Sequence, residues 1–255
     1  MSDNPFGMPG YGPTSYGEAF ADVYDEWYGG LGDHDLVDAL LRHMPETPAA
    51  VLELGVGTGR ILDRLVRARA GTDDSVAGID TSDAMIARAK AVPSLASADL
   101  TVGDFSASLP SGDRDLVFCG YNTFFNLPDT DAMTRAMVLV RSVLGADGRF
   151  VVDCFVPGAG TGGDRTTIRS ITTDSVVLTV SRHDEDDQRI IGQFVELSNG
   201  APVRLRPWAV RYVMPAQLDE IAARAGMTLV ERHGDGSRGA FTPDSRRHVS
   251  VYGPA

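Results

Sequence analysis

An α/β fold is predicted by three features of the 255-residue sequence. Short apolar runs alternate with amphipathic segments through residues 49–156, a glycine-rich turn follows the first run, and longer β-rich runs replace the alternation after Pro157. Strands and helices in alternation build a parallel sheet whose crossover helices cover both faces. The prediction is therefore a Rossmann-like sheet of seven strands, mostly parallel with the last strand antiparallel. Helices flank it, and an antiparallel β insertion follows the fifth strand.

The elements follow in order. Residues 1–14 are dense in Gly and Pro and read as a mobile arm, with order beginning near Tyr16. Apolar and aromatic residues fall at helical spacing over 18–28 and again over 35–44, where Pro45 and Pro48 end the second helix. The core strands are AAVLELG at 49–55, VAGID at 76–80, DLTVGD at 99–104, DLVFCGY at 115–121 and RFVVDCFV at 149–156. Helices are expected between them at 60–69, at 83–91 with Ser82 as N-cap, and at 129–144 with Gly145 as the stop. In the insertion, SVVLTVSRH, RIIGQFVEL and VRLRPWAVRYVM predict a meander with a turn at Asn199-Gly200. A helix over 216–225, closed by Gly226, and the strands MTLVER and HVSVY complete the sheet. The chain thus divides into an arm with lid helices (1–45), a cofactor core (46–156), the insertion (157–213) and a C-terminal helix and hairpin (214–255). The insertion is placed to cover the pocket, to mediate a homo-oligomer, or both.

The net charge of −12 and pI near 4.7 set a surface potential that repels phosphate backbones and anionic headgroups. Neither nucleic acid nor membrane is expected as a partner; a cationic small molecule would be attracted, although acidity also serves plain solubility. Cys119 and Cys154 sit in apolar runs and read as buried thiols of a reducing compartment. No run approaches the roughly 20 apolar residues that span a bilayer, and the N-terminus lacks a signal-peptide order, so a cytoplasmic protein is expected. The five histidines are scattered without ligand spacing, so no metal is expected. No G-x-S-x-G elbow is present.

The chemistry gathers at strand ends. Glu53-Leu54-Gly55-Val56-Gly57-Thr58-Gly59 lies between a strand and a helix, where glycines admit a ligand close to backbone amides. A nicotinamide dinucleotide would use the same place. Its fingerprint, however, is G-x-G-x-x-G with a small residue where this chain has Arg60. Asp80 ends the second strand, placed either to accept hydrogen bonds from a ribose or to cap the turn Asp80-Thr81-Ser82. Asp104, in Gly103-Asp104-Phe105, ends the third, where a carboxylate receives an adenine amino group while Phe105 packs on the ring.

These signals, in this order, resemble class I S-adenosylmethionine-dependent methyltransferases, and the resemblance covers residues 49–156. It implies S-adenosylmethionine as cofactor and S-adenosylhomocysteine as product. Gly55, Gly57 and neighbouring backbone would face the methionine part, Asp80 the ribose, and Asp104 with Phe105 the adenine. Met85 would lie beside the base or in the core. Glu53, Arg60, Thr81 and Asn122 complete the implied cofactor-binding set.

Tyr16 and Tyr24, in SYGEAFADVYDEWY, resemble the paired tyrosines of actinomycete amino-sugar and lincosamide N-methyltransferases, which close over the methionine carboxylate and the reactive centre. They also fit helix-face aromatics packed on a core. The resemblance makes Tyr16, Tyr24 and Phe124 the catalytic candidates, both tyrosines also belonging to the cofactor set. Phe124, which borders the transferred methyl in the lincosamide branch, joins Asn126 and Arg238 as a substrate-binding candidate. Asn126 stands where the amino-sugar dimethyltransferases carry a histidine. Arg238, in GSRGAF, either grips an anionic part of the substrate or is an ordinary exposed arginine. Arg204 and Arg206 share a strand face and read as solvated.

Methyl transfer from a sulfonium is an in-line displacement, so alignment and water exclusion matter most. An amine needs only to arrive deprotonated, whereas an alcohol wants a base near its proton. The expected function is N-methylation of a small amine of secondary metabolism, as in antibiotic biosynthesis. O-methylation on the same core and non-enzymatic S-adenosylmethionine binding are the alternatives.

Overall fold

The computed structural model describes residues 4–30, 33–46, 48–158 and 160–255. Three short helices open the chain: α1 (Ser15–Phe20), α2 (Tyr24–Tyr28) and α3 (His34–Leu41). The core then runs β1 (Ala50–Leu54), α4 (Arg60–Ala68), β2 (Ser75–Asp80), α5 (Asp83–Lys90), β3 (Asp99–Val102), β4 (Arg114–Cys119), α6 (Thr130–Val143) and β5 (Leu144–Phe155). Four antiparallel strands follow: β6 (Gly163–Ile171), β7 (Ser175–Asp184), β8 (Arg189–Ser198) and β9 (Arg204–Arg211). The chain closes with α7 (Pro215–Arg224), β10 (Met227–His233) and β11 (Arg247–Pro254).

The first sheet has the order β10-β11-β5-β4-β1-β2-β3, and only β11 runs against the others. Side-chain alternation splits its two faces into separate cores. Leu52, Leu54, Val117, Cys119 and Val152 pack under α6 and α7, against Met133, Met137 and Leu218. Val51, Leu116, Phe118 and Val151 pack under α3 and α4, against Leu36, Leu40 and Leu62. Apolar runs buried on both faces are what a helix-covered parallel sheet demands. Ser82 caps α5 as expected, its Oγ accepting from Met85 N, and Asp129, expected inside α6, instead caps it, its Oδ1 accepting from Ala132 N at 2.7 Å.

Five expectations are corrected. The helix expected over 18–28 is two, because the chain turns between Phe20 and Tyr24 to lay the Asp22 carboxylate on Arg206. Arg206, expected to be solvated, is buried in that contact and also donates to Glu196. The second sheet has four strands, not three. β6 was missed because all nine of its residues are exposed and it carries no apolar alternation. The arm is not loose over its described residues. Turns over 4–14 bury Phe6 against Tyr11, and Thr81 Oγ1 donates to Pro13 O at 2.9 Å. The helix expected to stop at Gly145 already ends at Val143, and Gly145 lies within β5. Among the described residues no helix is long and apolar enough to cross a membrane.

Candidate active site

The glycine loop joins β1 to α4 at the carboxyl edge of the sheet, where ligands of open α/β sheets bind. Gly55 has φ 67°, and a Cβ there would stand 2.1 Å from Thr123 Cγ2, so neither the backbone nor the space admits a side chain. Gly57 has φ 55° but open space where its Cβ would lie. Gly57 N donates to Asp80 Oδ2 at 2.9 Å, and Ser82 N donates to Asp80 Oδ1 at 2.9 Å. Burial raises the Asp80 pKa, and these backbone donors work against that rise. A carboxylate oxygen has two lone pairs, so each keeps capacity for a ligand hydroxyl.

Around this loop lie two joined chambers. The first, about 270 Å³, is lined by Gly55, Gly57, Asp80, Thr81, Asp104 and Phe105 along the sheet edge. Met85 and Leu127 flank them, and Phe6, Tyr11 and Pro13 of the arm form the outer wall. The second, about 410 Å³, opens between the two sheets against Phe155, Ile190, Phe194 and Trp208. Tyr16, Tyr24, Thr123 and Asn126 line both chambers and form the junction between them.

Tyr16 stacks on Phe20 with ring centroids 4.4 Å apart and meets Tyr24 edge-on at 6.5 Å. Burial drives the pKa of both hydroxyls up, so both stay protonated at neutral pH. Arg60 opposes that rise at Tyr24 by charge and hydrogen bond. The Arg60 guanidinium donates to Asp33 and lies 4.6 Å over the Tyr121 ring. Beside it a recess of about 20 Å³ is lined by Glu53, Arg60, Tyr24, Gly55 and Thr123. Glu53 is buried, its Oε2 has no hydrogen-bond partner, and desolvation raises its pKa well above the usual carboxylate range, with Arg60 pulling the other way.

The structure thus brings together Tyr16, Tyr24, Gly55, Gly57, Asp80, Thr81, Met85, Asp104, Phe105 and Asn126, with Glu53 and Arg60 in the adjoining recess. Three candidates stand apart. Phe124 is fully buried beneath the site, edge-on to Phe150 at 6.1 Å. Asn122 lines the second chamber rather than the first, and its Oδ1 is taken by Phe155 N at 2.6 Å. Arg238 is exposed in the loop between β10 and β11, outside both chambers. Sequence reasoning missed Tyr28, Tyr121, Phe155, Ile190, Phe194, Trp208 and Val210. The available signal was the alternation of apolar residues in RIIGQFVEL and RPWAVRY, which marks one face of adjacent strands.

The residues present fit an adenosyl cofactor. Asp80 has acceptor capacity at the second strand end, Gly57 leaves open space beside it, and the orphaned Glu53 Oε2 awaits a donor. Among the described residues no cluster of His, Cys, Asp or Glu is arranged to hold a metal.

Comparison with known proteins agrees. Residues 51–148 match the family model described as a methyltransferase domain. The CcbJ methyltransferase of Streptomyces caelestis is 35% identical, with a TM-score of 0.87 over 96% of this chain and 100% of that one. An amino pentose methyltransferase of Micromonospora echinaspora involved in calicheamicin biosynthesis, solved with S-adenosylmethionine bound, shares the fold at 19% identity. Its TM-score is 0.70 over 91% of this chain and 97% of its own. The sugar N-methyltransferase of Streptoalloteichus shares it at 20% identity and TM-score 0.67, over 90% and 91%. No curated protein matches the chain. A first chamber whose lining suits an adenosyl cofactor and a 35%-identical methyltransferase matched over its whole length lead to one conclusion: the chain belongs to the S-adenosylmethionine-dependent methyltransferases.

Proposed function

We propose that the protein N-methylates a small-molecule amine of secondary metabolism, lincosamide- or amino-sugar-like, at the junction of the two chambers. The observation that carries this reading is the character of the junction. Tyr16, Tyr24, Thr123 and Asn126 surround it, and neither chamber has a histidine, lysine or cysteine among its described lining residues. The two tyrosines hold their protons at neutral pH and serve as donors, not as bases. An amine that arrives deprotonated needs no base, whereas an alcohol does. The fold's use by an amino pentose methyltransferase and a sugar N-methyltransferase accords with this reading.

S-adenosylmethionine supplies a methyl activated on a sulfonium. The chain's part is to align and to exclude water. Asp80 accepts from the ribose hydroxyls, and Asp104 with Phe105 holds the adenine. The glycine loop and the Glu53–Arg60 recess hold the methionine end. Tyr16 and Tyr24 fix the amine's approach, and Phe124 backs the site from the core. Residues 1–45 act as the lid, closing the outer wall with Phe6 and Tyr11, and the insertion covers the acceptor.

Incubation with S-adenosylmethionine and paired acceptors, an amine and its hydroxyl analogue, tests the reading by mass spectrometry. Methyl gain by the amine alone is expected, with kcat/KM rising with pH up to the acceptor's own pKa. Methylation of the hydroxyl analogue alone would overturn it in favour of O-methylation.

A further inference from the structure

The second chamber takes most of its far wall from the second sheet. Its far side is made by Phe155, by Ile190 and Phe194 of β8, and by Trp208 and Val210 of β9. These strands pair with Ile190 opposite Val210 and Gly192 opposite Trp208, so the four side chains and the glycine between them share one sheet face. Gly192 is what lets the indole lie flat across the strand. A Cβ there would stand 2.5 Å from Trp208 Cζ2.

Some polar groups on the core side of this chamber are engaged within the protein, and the one polar side-chain atom of the far wall, the buried Trp208 Nε1, has no partner among the described residues. Asn122 Oδ1 accepts from Phe155 N at 2.6 Å. The Tyr121 hydroxyl lies near the Asp33 carboxylate, and the Tyr28 hydroxyl near that of Tyr16. Hydroxyls of a ligand placed here would lose water and find few partners, while apolar groups would gain from burial. At about 410 Å³ the chamber accommodates a substituent far larger than a methyl group.

We infer that the second chamber is an apolar subsite that selects acceptor amines bearing an alkyl or aryl substituent over bare polyhydroxylated amines. The placement of the reacting nitrogen at the junction rests on the N-methylation reading. The subsite itself rests on its wall.

The test titrates protein saturated with S-adenosylhomocysteine against n-butylamine, n-hexylamine, n-octylamine and glucosamine, by calorimetry. Affinity is expected to rise about threefold to fourfold per added methylene, from roughly 0.8 kcal/mol per buried CH₂. Glucosamine is expected to bind more weakly than hexylamine. Trp208→Ala and Phe194→Ala should flatten that slope. Ile190→Ser, a smaller change in the same wall, should reduce it while the melting temperature and S-adenosylhomocysteine affinity hold. A flat series, a slope untouched in all three variants, or glucosamine bound as tightly as octylamine overturns the proposal. The two readings separate cleanly. Alkylamines that bind with the slope but accept no methyl leave the subsite standing and remove N-methylation. Alkylamines methylated with no dependence on chain length do the reverse.

Discussion

At the residue scale, two glycines of one loop do different work. Gly55→Ala must push Thr123 aside and adopt a strained φ, so it should destabilise the fold by about 1–3 kcal/mol as well as abolish cofactor binding. Gly57→Ala meets no atom within 4 Å, so the fold should lose only about 1 kcal/mol while its methyl intrudes on the first chamber. Thermal melting beside S-adenosylhomocysteine titration distinguishes them: binding lost in both variants, stability lost chiefly in the first. Asp33 acts through a neighbour. It is fully buried and holds Arg60, whose charge lies near the Tyr24 hydroxyl. Asp33→Ala leaves that guanidinium buried without its counter-charge and should cost about 3–5 kcal/mol in urea unfolding. A loss below about 1 kcal/mol would show that Arg60 finds water or another partner.

At the element scale, strand ends are tied by side chains from turns. Asp74, just before β2, accepts from Arg69 Nε at 2.8 Å and from Ala49 N at 2.8 Å, and so clasps the end of α4 to the starts of β1 and β2. The Arg69 hydrogen bond lowers its pKa from 3.8 to about 2, with burial opposing. A carboxylate whose pKa is depressed on folding contributes stability that is present above the unfolded value and lost as pH falls through the folded one. Asp74 should therefore contribute about 2 kcal/mol above pH 3.8 that vanishes toward pH 2. Asp74→Asn should remove this increment at pH 6, as read by urea unfolding, and show no further loss in that acid window. Elements were legible in the sequence where burial imprints a pattern, an unbroken apolar run in β1 and β4 and a helical period in α6. β6 left no such imprint because it is exposed throughout. The break between α1 and α2 depends on Arg206, 184 residues from Asp22, which no local pattern records.

At the scale of the whole molecule, acid stability should fall in steps. His248 is fully buried, and burial, helped by the Arg232 charge, lowers its pKa from 6.5 to about 4. The native state keeps it neutral while the unfolded chain takes up a proton below pH 6.5. Stability should thus decline by about 3 kcal/mol between pH 6.5 and 4, before Asp74 contributes. Urea midpoints at pH 7 and 4.5 check this, and His248→Asn should flatten the difference. The same scale explains what of the site could be read in advance. Gly55, Asp80 and Asp104 announce themselves because each is a strand end followed by a turn, a local arrangement. The second chamber does not, because it exists only when β8 and β9 fold over Tyr121 and Phe155 of the core. Phe124 was expected at the surface of the site and lies under it, since a phenylalanine in an apolar turn satisfies both readings until packing is known.

The most direct test of the account is S-adenosylhomocysteine titration of the wild type beside Asp80→Ala and Asp104→Ala. Micromolar binding by the wild type is predicted, weakened about 10-fold to 100-fold in each variant by loss of a charge-assisted hydrogen bond, and Asp80→Ala, which also frees Gly57 N and Ser82 N, should lower the melting temperature as well. Binding of equal strength in all three proteins would contradict the placement of the cofactor along the strand ends.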